Sequence, residues 1–368
     1  MRVGILSMQR IQNYGSFLQA YGLKSILEEL GADVEFVDYK PGDPLIHNNE
    51  SKGTIRKVKK AFEAFGGKAP LKEKIKFIKY KKDYSKNYYP LLNISSEYNY
   101  SPKLDLLVIG SDEVFNCVQD NPNVGFTPAF FGQDSNAKHI ISYAGSFGNT
   151  TLDKLKKYKV VDSISKWFSD FDDISVRDQN SANIVEALLG RKPSVNLDPV
   201  LMYDYMSSGK VPTAIEDNNY LILYGYSGRF TSEECNVIHS FAKRKGLKIY
   251  CIGGLQDCCD KYLDCDPFKV ISYFKNAEYV ITDTFHGTIM SIITHQNFVT
   301  LVRNKGYGNS EKLVDLMARL KLNNRKLENL SDLGDKLNIT INYTETDQII
   351  DTERKKTREY LKKWVKNQ

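Results

Sequence analysis

The chain has 368 residues, enough for two domains rather than one ordinary core. Hydrophobic residues make up 41% and charged residues 26%, which excludes a disordered chain, and no apolar run approaches transmembrane length. The net charge of +6 is uneven: residues 51–84 hold twelve Lys or Arg against three Asp or Glu, so the remainder is slightly acidic and a uniformly basic nucleic-acid binder is excluded.

The N-terminus MRVGILSMQR reads as a short strand and a polar loop, without the apolar core of a signal peptide. Val3 to Ser7 is the first predicted strand. The loop Gln12-Asn13-Tyr14-Gly15-Ser16 follows, and then a helix burying Phe17, Leu18, Tyr21, Leu23, Ile26, Leu27 and Leu30. Gly31 ends that helix and Val34 to Val37 forms the second strand. This βαβ unit lacks a GxGxxG fingerprint. Asn13 and Ser16 either bind a ligand or cap the helix, and capping is the simpler role. Residues 51–84 read as helical, basic and aromatic-rich. Such a charge run is expected to be solvated on the surface; the alternative is a flap that meets an anionic acceptor or a membrane face.

Leu104 to Gly110 is a near-continuous apolar strand, as in a buried parallel sheet. It ends at Ser111-Asp112-Glu113-Val114-Phe115-Asn116. His139 to Ser142 leads into Tyr143-Ala144-Gly145-Ser146-Phe147-Gly148. Asp173 to Val176 ends at Arg177-Asp178, and Leu197-Asp198-Pro199-Val200 closes this half. Polar segments at four strand ends converge on one sheet edge, which is where such sheets bind ligands. Residues 203–219 are polar and aperiodic, and mark a domain boundary. A second α/β set follows: a strand from Tyr220 to Tyr224, a helix capped by Thr231, a strand from Leu247 to Ile252 and a helix from Pro267 to Asn276. Then comes EYVITDTFHGTIMSIITHQNFVTL, Glu278 to Leu301. In it a strand stops at Thr282-Asp283-Thr284, and His286-Gly287-Thr288 opens an apolar helix. Lys312 to Leu320 is another helix. The tail Gln348 to Lys366 spaces Ile350, Thr357, Leu361, Trp364 and Val365 as an amphipathic helix on the body. Six cysteines at 117, 235, 251, 258, 259 and 265 form no CxxC pair. Reduced thiols, no metal site and a cytoplasmic location are therefore expected, with the inner face of the membrane as a refinement.

The expected architecture is α/β: two Rossmann-like domains facing a cleft. The first spans 1–205 and carries a basic helical insertion over about 50–100. The second spans 218–345, and residues 346–368 form the terminal helix.

The stretches NYGSFLQAYGL, DLLVIGSDEVFN, ISYAGSFG, ISVRDQNS, LDPVL and VITDTFHGTIMS, in this order and spacing, resemble the polysaccharide pyruvyltransferase family from Met1 to about Leu320. The resemblance implies a glycosyltransferase-B-like arrangement and an enzyme that moves the enolpyruvyl unit of phosphoenolpyruvate onto a sugar, commonly as a ketal across two hydroxyls. It implies phosphoenolpyruvate as co-substrate, no cofactor, and an acceptor sugar that is lipid- or nucleotide-linked. His286 matches a histidine tied to donor binding and catalysis, and Arg177 an arginine tied to donor binding. Thr284, Phe285, Gly287 and Thr288 complete the expected donor loop. Asp112 is the expected catalytic carboxylate, with Glu113 as its alternative. Asn13, Tyr14, Gly15, Ser16, Ser111, Glu113 and Ser146 are the expected acceptor-side lining. The chain departs from the family where Thr284-Phe285 replaces Arg-Leu, where Glu113 and Phe115 replace Gln and Trp, and where Glu311 replaces an arginine. A glycosyltransferase using a nucleotide sugar is the competing reading, because fold alone does not separate the two.

Overall fold

The computed structural model describes residues 1–46, 67–119, 121–303 and 310–366. Within them lie two parallel six-stranded sheets. The first contains β1 (Arg2–Leu6), β2 (Asp33–Val37), β3 (Lys103–Asp112), β4 (Asn136–Gly145), β5 (Ser175–Val176) and β6 (Ser194–Val195), in the order β2-β1-β3-β4-β5-β6. The second contains β7 (Tyr220–Gly225), β8 (Lys248–Gly253), β9 (Lys261–Tyr262), β10 (Tyr279–Thr282), β11 (Phe298–Leu301) and β12 (Lys326–Leu327), in the order β12-β11-β10-β7-β8-β9. The central strands are the long apolar runs of the sequence. Ile5 pairs with Val108, Leu107 with Ile140, and Ile281 with both Leu223 and Val299. Helices cover both faces, so these strands lack the polar alternation of a half-exposed sheet.

Each sheet reverses its direction of growth once. In the first sheet the reversal lies between β1 and β3, and in the second between β7 and β10. At such a point the loops leaving neighbouring strands diverge to opposite faces and leave a crevice at the carboxyl edge.

One apolar cluster runs through both halves. The helix Tyr14–Glu29 is its centre, because almost every residue in its first four turns is buried. Phe17 and Tyr21 place their rings 5.8 and 4.7 Å from that of Phe268, edge to face. The terminal helix, Thr344–Lys366, starts on the second half, where Thr346 Oγ1 donates to Leu320 O. It ends on the first, where the Tyr360 hydroxyl donates to Ser142 O and Lys363 pairs with Asp173.

The basic segment departs from the expected solvated excursion. Its part over 51–66 lies outside the described residues. The rest forms a helix, Leu71–Tyr88, whose inner face buries Tyr80, Tyr84 and Tyr88. The Tyr84 hydroxyl donates to Asn13 O in the first half, and the Tyr88 hydroxyl to Cys265 O in the second. A tyrosine every fourth residue supplies one apolar stripe with polar tips, so the helix straps the halves together.

Candidate functional site

A cavity of about 270 Å³ opens where the two reversal points face each other. Its walls come from the loops that leave four strands. Met8, Ile11, Asn13 and Ser16 follow β1, and Asp112, Glu113, Gln119 and Asn121 follow β3. Tyr224, Tyr226 and Arg229 come from the end of β7, and Thr284, Phe285 and His286 follow β10. Lys312, from the helix Ser310–Arg319, closes the rim.

Two helix N-termini point into this space. Asn13 caps the helix Tyr14–Glu29 by accepting from Ser16 N–H at 2.7 Å, and the Ser16 hydroxyl donates onward to Asp112 Oδ2 at 3.2 Å. Thr284 caps the helix Phe285–Ile293 by accepting from Gly287 N–H at 3.0 Å. The first N–H groups of each helix have no intrahelical acceptor, so both ends favour an anion. His286 lies at the second of these ends, over Gly15. A Cβ on Gly15 would sit 2.3 Å from His286 Nδ1, so only glycine lets the two helix ends meet here.

Behind His286 lies a buried charge cluster. Asp198 is fully buried and accepts from Arg177 Nη1 at 2.7 Å; His286 Nε2 is 3.6 Å from the same oxygen, Oδ2. Arg177, itself 2% exposed, also reaches Asp112 at 3.6 Å and lays its guanidinium 4.3 Å from the Phe285 ring centroid. Burial alone would raise the Asp198 carboxyl, but His286, the Arg177 charge and the Val200 N–H outweigh it and hold it well below the usual carboxylate range. Burial likewise works against the Arg177 charge, and the carboxylates of Asp198, Asp112 and Asp178 reverse the effect.

At the rim Lys312 forms an ion pair with Glu113, which also accepts from Asn116 at 2.8 Å. Burial would push the Glu113 carboxyl up, but Lys312 and Asn116 bring it down to about 2. Arg229 pairs with the buried Asp283 at 2.7 Å, and Asp283 accepts from Arg303 at 3.0 Å. This second network fixes the turn that presents His286. Asp112 itself adopts a left-handed backbone, φ 77°, at the end of β3, a conformation that costs a non-glycine residue energy and that clusters at functional sites.

Of the residues expected from sequence, Asn13, Ser16, Asp112, Glu113, Thr284, Phe285 and His286 share the cavity wall. Seven do not line it as expected, Gly15 among them, since it packs against the His286 imidazole. Tyr14 points away and donates to Cys265 O. Ser111 donates to Ala144 O and Ser146 to Asp178; both hydroxyls satisfy strand-end groups inside the protein. Thr288 bonds Thr284 O and the Thr300 hydroxyl, and Gly287 packs on Thr282 and Tyr224. Arg177 sits behind the wall, because two carboxylates draw it inward. Sequence reading missed Arg229, Lys312, Tyr226 and Asp198. The Asp-Pro pair of LDPVL was the one signal for the last, since Asp198 caps the turn at Val200 N–H. Among the described residues no group of three His, Cys, Asp or Glu is placed to hold a metal ion, and no helix is long and apolar enough to cross a membrane.

A family described as polysaccharide pyruvyl transferase matches residues 13–305. No curated protein matches the chain in sequence. Among solved structures, the Methanocaldococcus jannaschii UDP-GlcNAc 2-epimerase in complex with UDP-GlcNAc and UDP superposes with a TM-score of 0.50 at 10% identity, covering 96% of this chain and 99% of that one. S. aureus MnaA with UDP gives 0.49 at 9% identity, covering 95% and 94%. E. coli heptosyltransferase WaaC with ADP-2-deoxy-2-fluoro heptose gives 0.37 at 14% identity, covering 84% and 91%. The likeness is one of fold: two Rossmann-like α/β units facing a cleft, a glycosyltransferase-B-like arrangement.

Proposed function

This chain belongs to the polysaccharide pyruvyl transferase family, and on that premise we propose that it transfers the pyruvyl unit of phosphoenolpyruvate to a sugar of a cell-surface polysaccharide or of its lipid- or nucleotide-linked precursor, forming a ketal and releasing phosphate. One observation carries the reading: His286, a helix N-terminus and the cations Arg229 and Lys312 line one cavity. Phosphoenolpyruvate offers two anionic groups, a phosphate and a carboxylate, and that lining supplies donors for both.

In this reading His286 protonates the methylene carbon, which leaves an oxocarbenium-like centre at the neighbouring carbon. A sugar hydroxyl adds there and gives its proton to a base. Phosphate then departs, and a second hydroxyl takes its place to close the ketal. Asp112 suits the base role better than Glu113. Both line the cavity, but Glu113 is tied to Lys312 and Asn116 and held at about 2, where it accepts a proton poorly. Arg177 acts from behind, fixing Asp112 and Asp198 rather than touching the donor.

The test is thermal melting with phosphoenolpyruvate and, separately, with nucleotide sugars. A specific ligand raises the midpoint in proportion to the logarithm of its concentration over Kd. The expected result is a rise with phosphoenolpyruvate that shrinks in Lys312→Ala. A rise with nucleotide sugars alone would assign the cavity to glycosyl transfer instead. Mass spectrometry of sugar acceptors incubated with phosphoenolpyruvate then reports the product.

Gly15→Ala tests the placement of His286. The added Cβ overlaps the imidazole, so the ring must shift. A displacement of about 1 Å costs on the order of a hundredfold in rate, while overpacking costs roughly 1–3 kcal/mol of stability. Measured turnover should fall far more than the urea midpoint moves. An unchanged kcat would mean that this contact does not position the catalytic group.

A further inference from the structure

We propose that the outer face of the helix Leu71–Tyr88 seats the protein on an anionic lipid surface. The inner face leaves this helix no freedom to turn. Its tyrosines are buried, Glu73 accepts from Tyr262 N–H at 2.7 Å, and Lys76 donates to Tyr262 O at 2.7 Å. What faces out is therefore fixed. Leu71, Ile75 and Ile78 are 64%, 58% and 38% exposed, and their spacing of four and three residues puts them in one stripe. Lys72, Lys79, Lys82 and Lys86 are exposed on the same side of the helix. The helix has two acids, and neither joins this face: Glu73 is buried and Asp83 is half-buried at its edge.

Aliphatic side chains collared by lysine, on a helix too polar to span a bilayer, are the composition of a helix that lies in the lipid headgroup region. A protein partner fits less well. Protein interfaces are depleted in lysine and anchored by aromatic residues or arginine, and none of these anchors is exposed here. Three aliphatics along about 10 Å of helix also cover far less area than a stable dimer buries. The helix itself carries seven lysines against its two acids, which adds attraction toward an anionic surface.

Flotation of the full chain with phosphatidylcholine vesicles, with and without phosphatidylglycerol, tests this. Binding is expected only to the anionic vesicles and should fall with salt. Each lysine replaced should weaken it by about fivefold, so Lys72→Ala/Lys79→Ala/Lys82→Ala/Lys86→Ala should abolish measurable binding. Ile75→Ser/Ile78→Ser should weaken it with the charge intact. These side chains are exposed, so melting curves should match the parent. Equal binding to neutral vesicles, no binding at all, or binding kept in both variants would overturn the proposal. A change from dimer to monomer in the variants, seen by sedimentation, would make the face a contact between copies instead.

Discussion

His286→Ala is expected to lower pyruvyl transfer by about a hundredfold to ten-thousandfold, the usual consequence of removing a general acid. The fold should survive. The imidazole rests on Gly15 and the edge of Phe285, and Asp198 keeps Arg177 and the Val200 N–H when the ring is gone. His286→Gln separates two roles, because it preserves bulk and a hydrogen-bonding tip but carries no titrating proton. If His286 only orients phosphate, His286→Ala raises the KM for phosphoenolpyruvate, His286→Gln raises it less, and both keep most of kcat. If it delivers the proton, kcat falls in both. Steady-state kinetics with circular dichroism as fold control distinguishes these results. Parental activity in both variants would remove the assignment of this loop as the catalytic centre.

Much of the scaffold was legible because buried parallel strands write themselves as continuous apolar runs. β3, β7 and β10 were found this way, and the polar segments after them did surround the cavity. The two-residue strands β6, β9 and β12 carry too few residues for any period to show. Strand-end hydroxyls were over-read. Ser111 and Ser146 have the composition of ligand contacts, yet buried polar groups must find partners, and theirs are a backbone carbonyl and a helix-capping carboxylate. Arg177 lies behind the cavity, because whether a guanidinium faces a ligand or a carboxylate depends on contacts with Asp198 and Asp112 that no local pattern encodes. The tyrosine stripe of Leu71–Tyr88 was hidden for the opposite reason: the lysines between dominate the composition, and the helical period sorts them to the outside.

Asp198→Asn is expected to be the most damaging single change in the cluster. It leaves the Arg177 charge buried with Asp112, 3.6 Å away, and the more weakly acting Asp178 as counter-ions, and breaking a buried pair from one side typically costs about 3–5 kcal/mol. Turnover should fall as well, since Asp198 holds both the arginine that orients Asp112 and the imidazole of His286. The pH dependence has a definite sign. The folded carboxyl lies below its unfolded value, so the native state binds fewer protons than the unfolded chain. Its contribution is complete above the unfolded pKa of about 3.9 and is lost as pH falls below it. The gap in urea midpoint between parent and variant should therefore stay constant from pH 7 to about 5 and narrow below about 4. The paired variant Arg177→Met/Asp198→Leu removes both charges and fills the space with apolar groups. It should regain most of the lost stability, because replacing a buried pair with hydrophobic residues is often close to neutral, and it should remain inactive. Recovery of turnover along with stability would show that the pair serves the fold alone, and that His286 keeps its position without it.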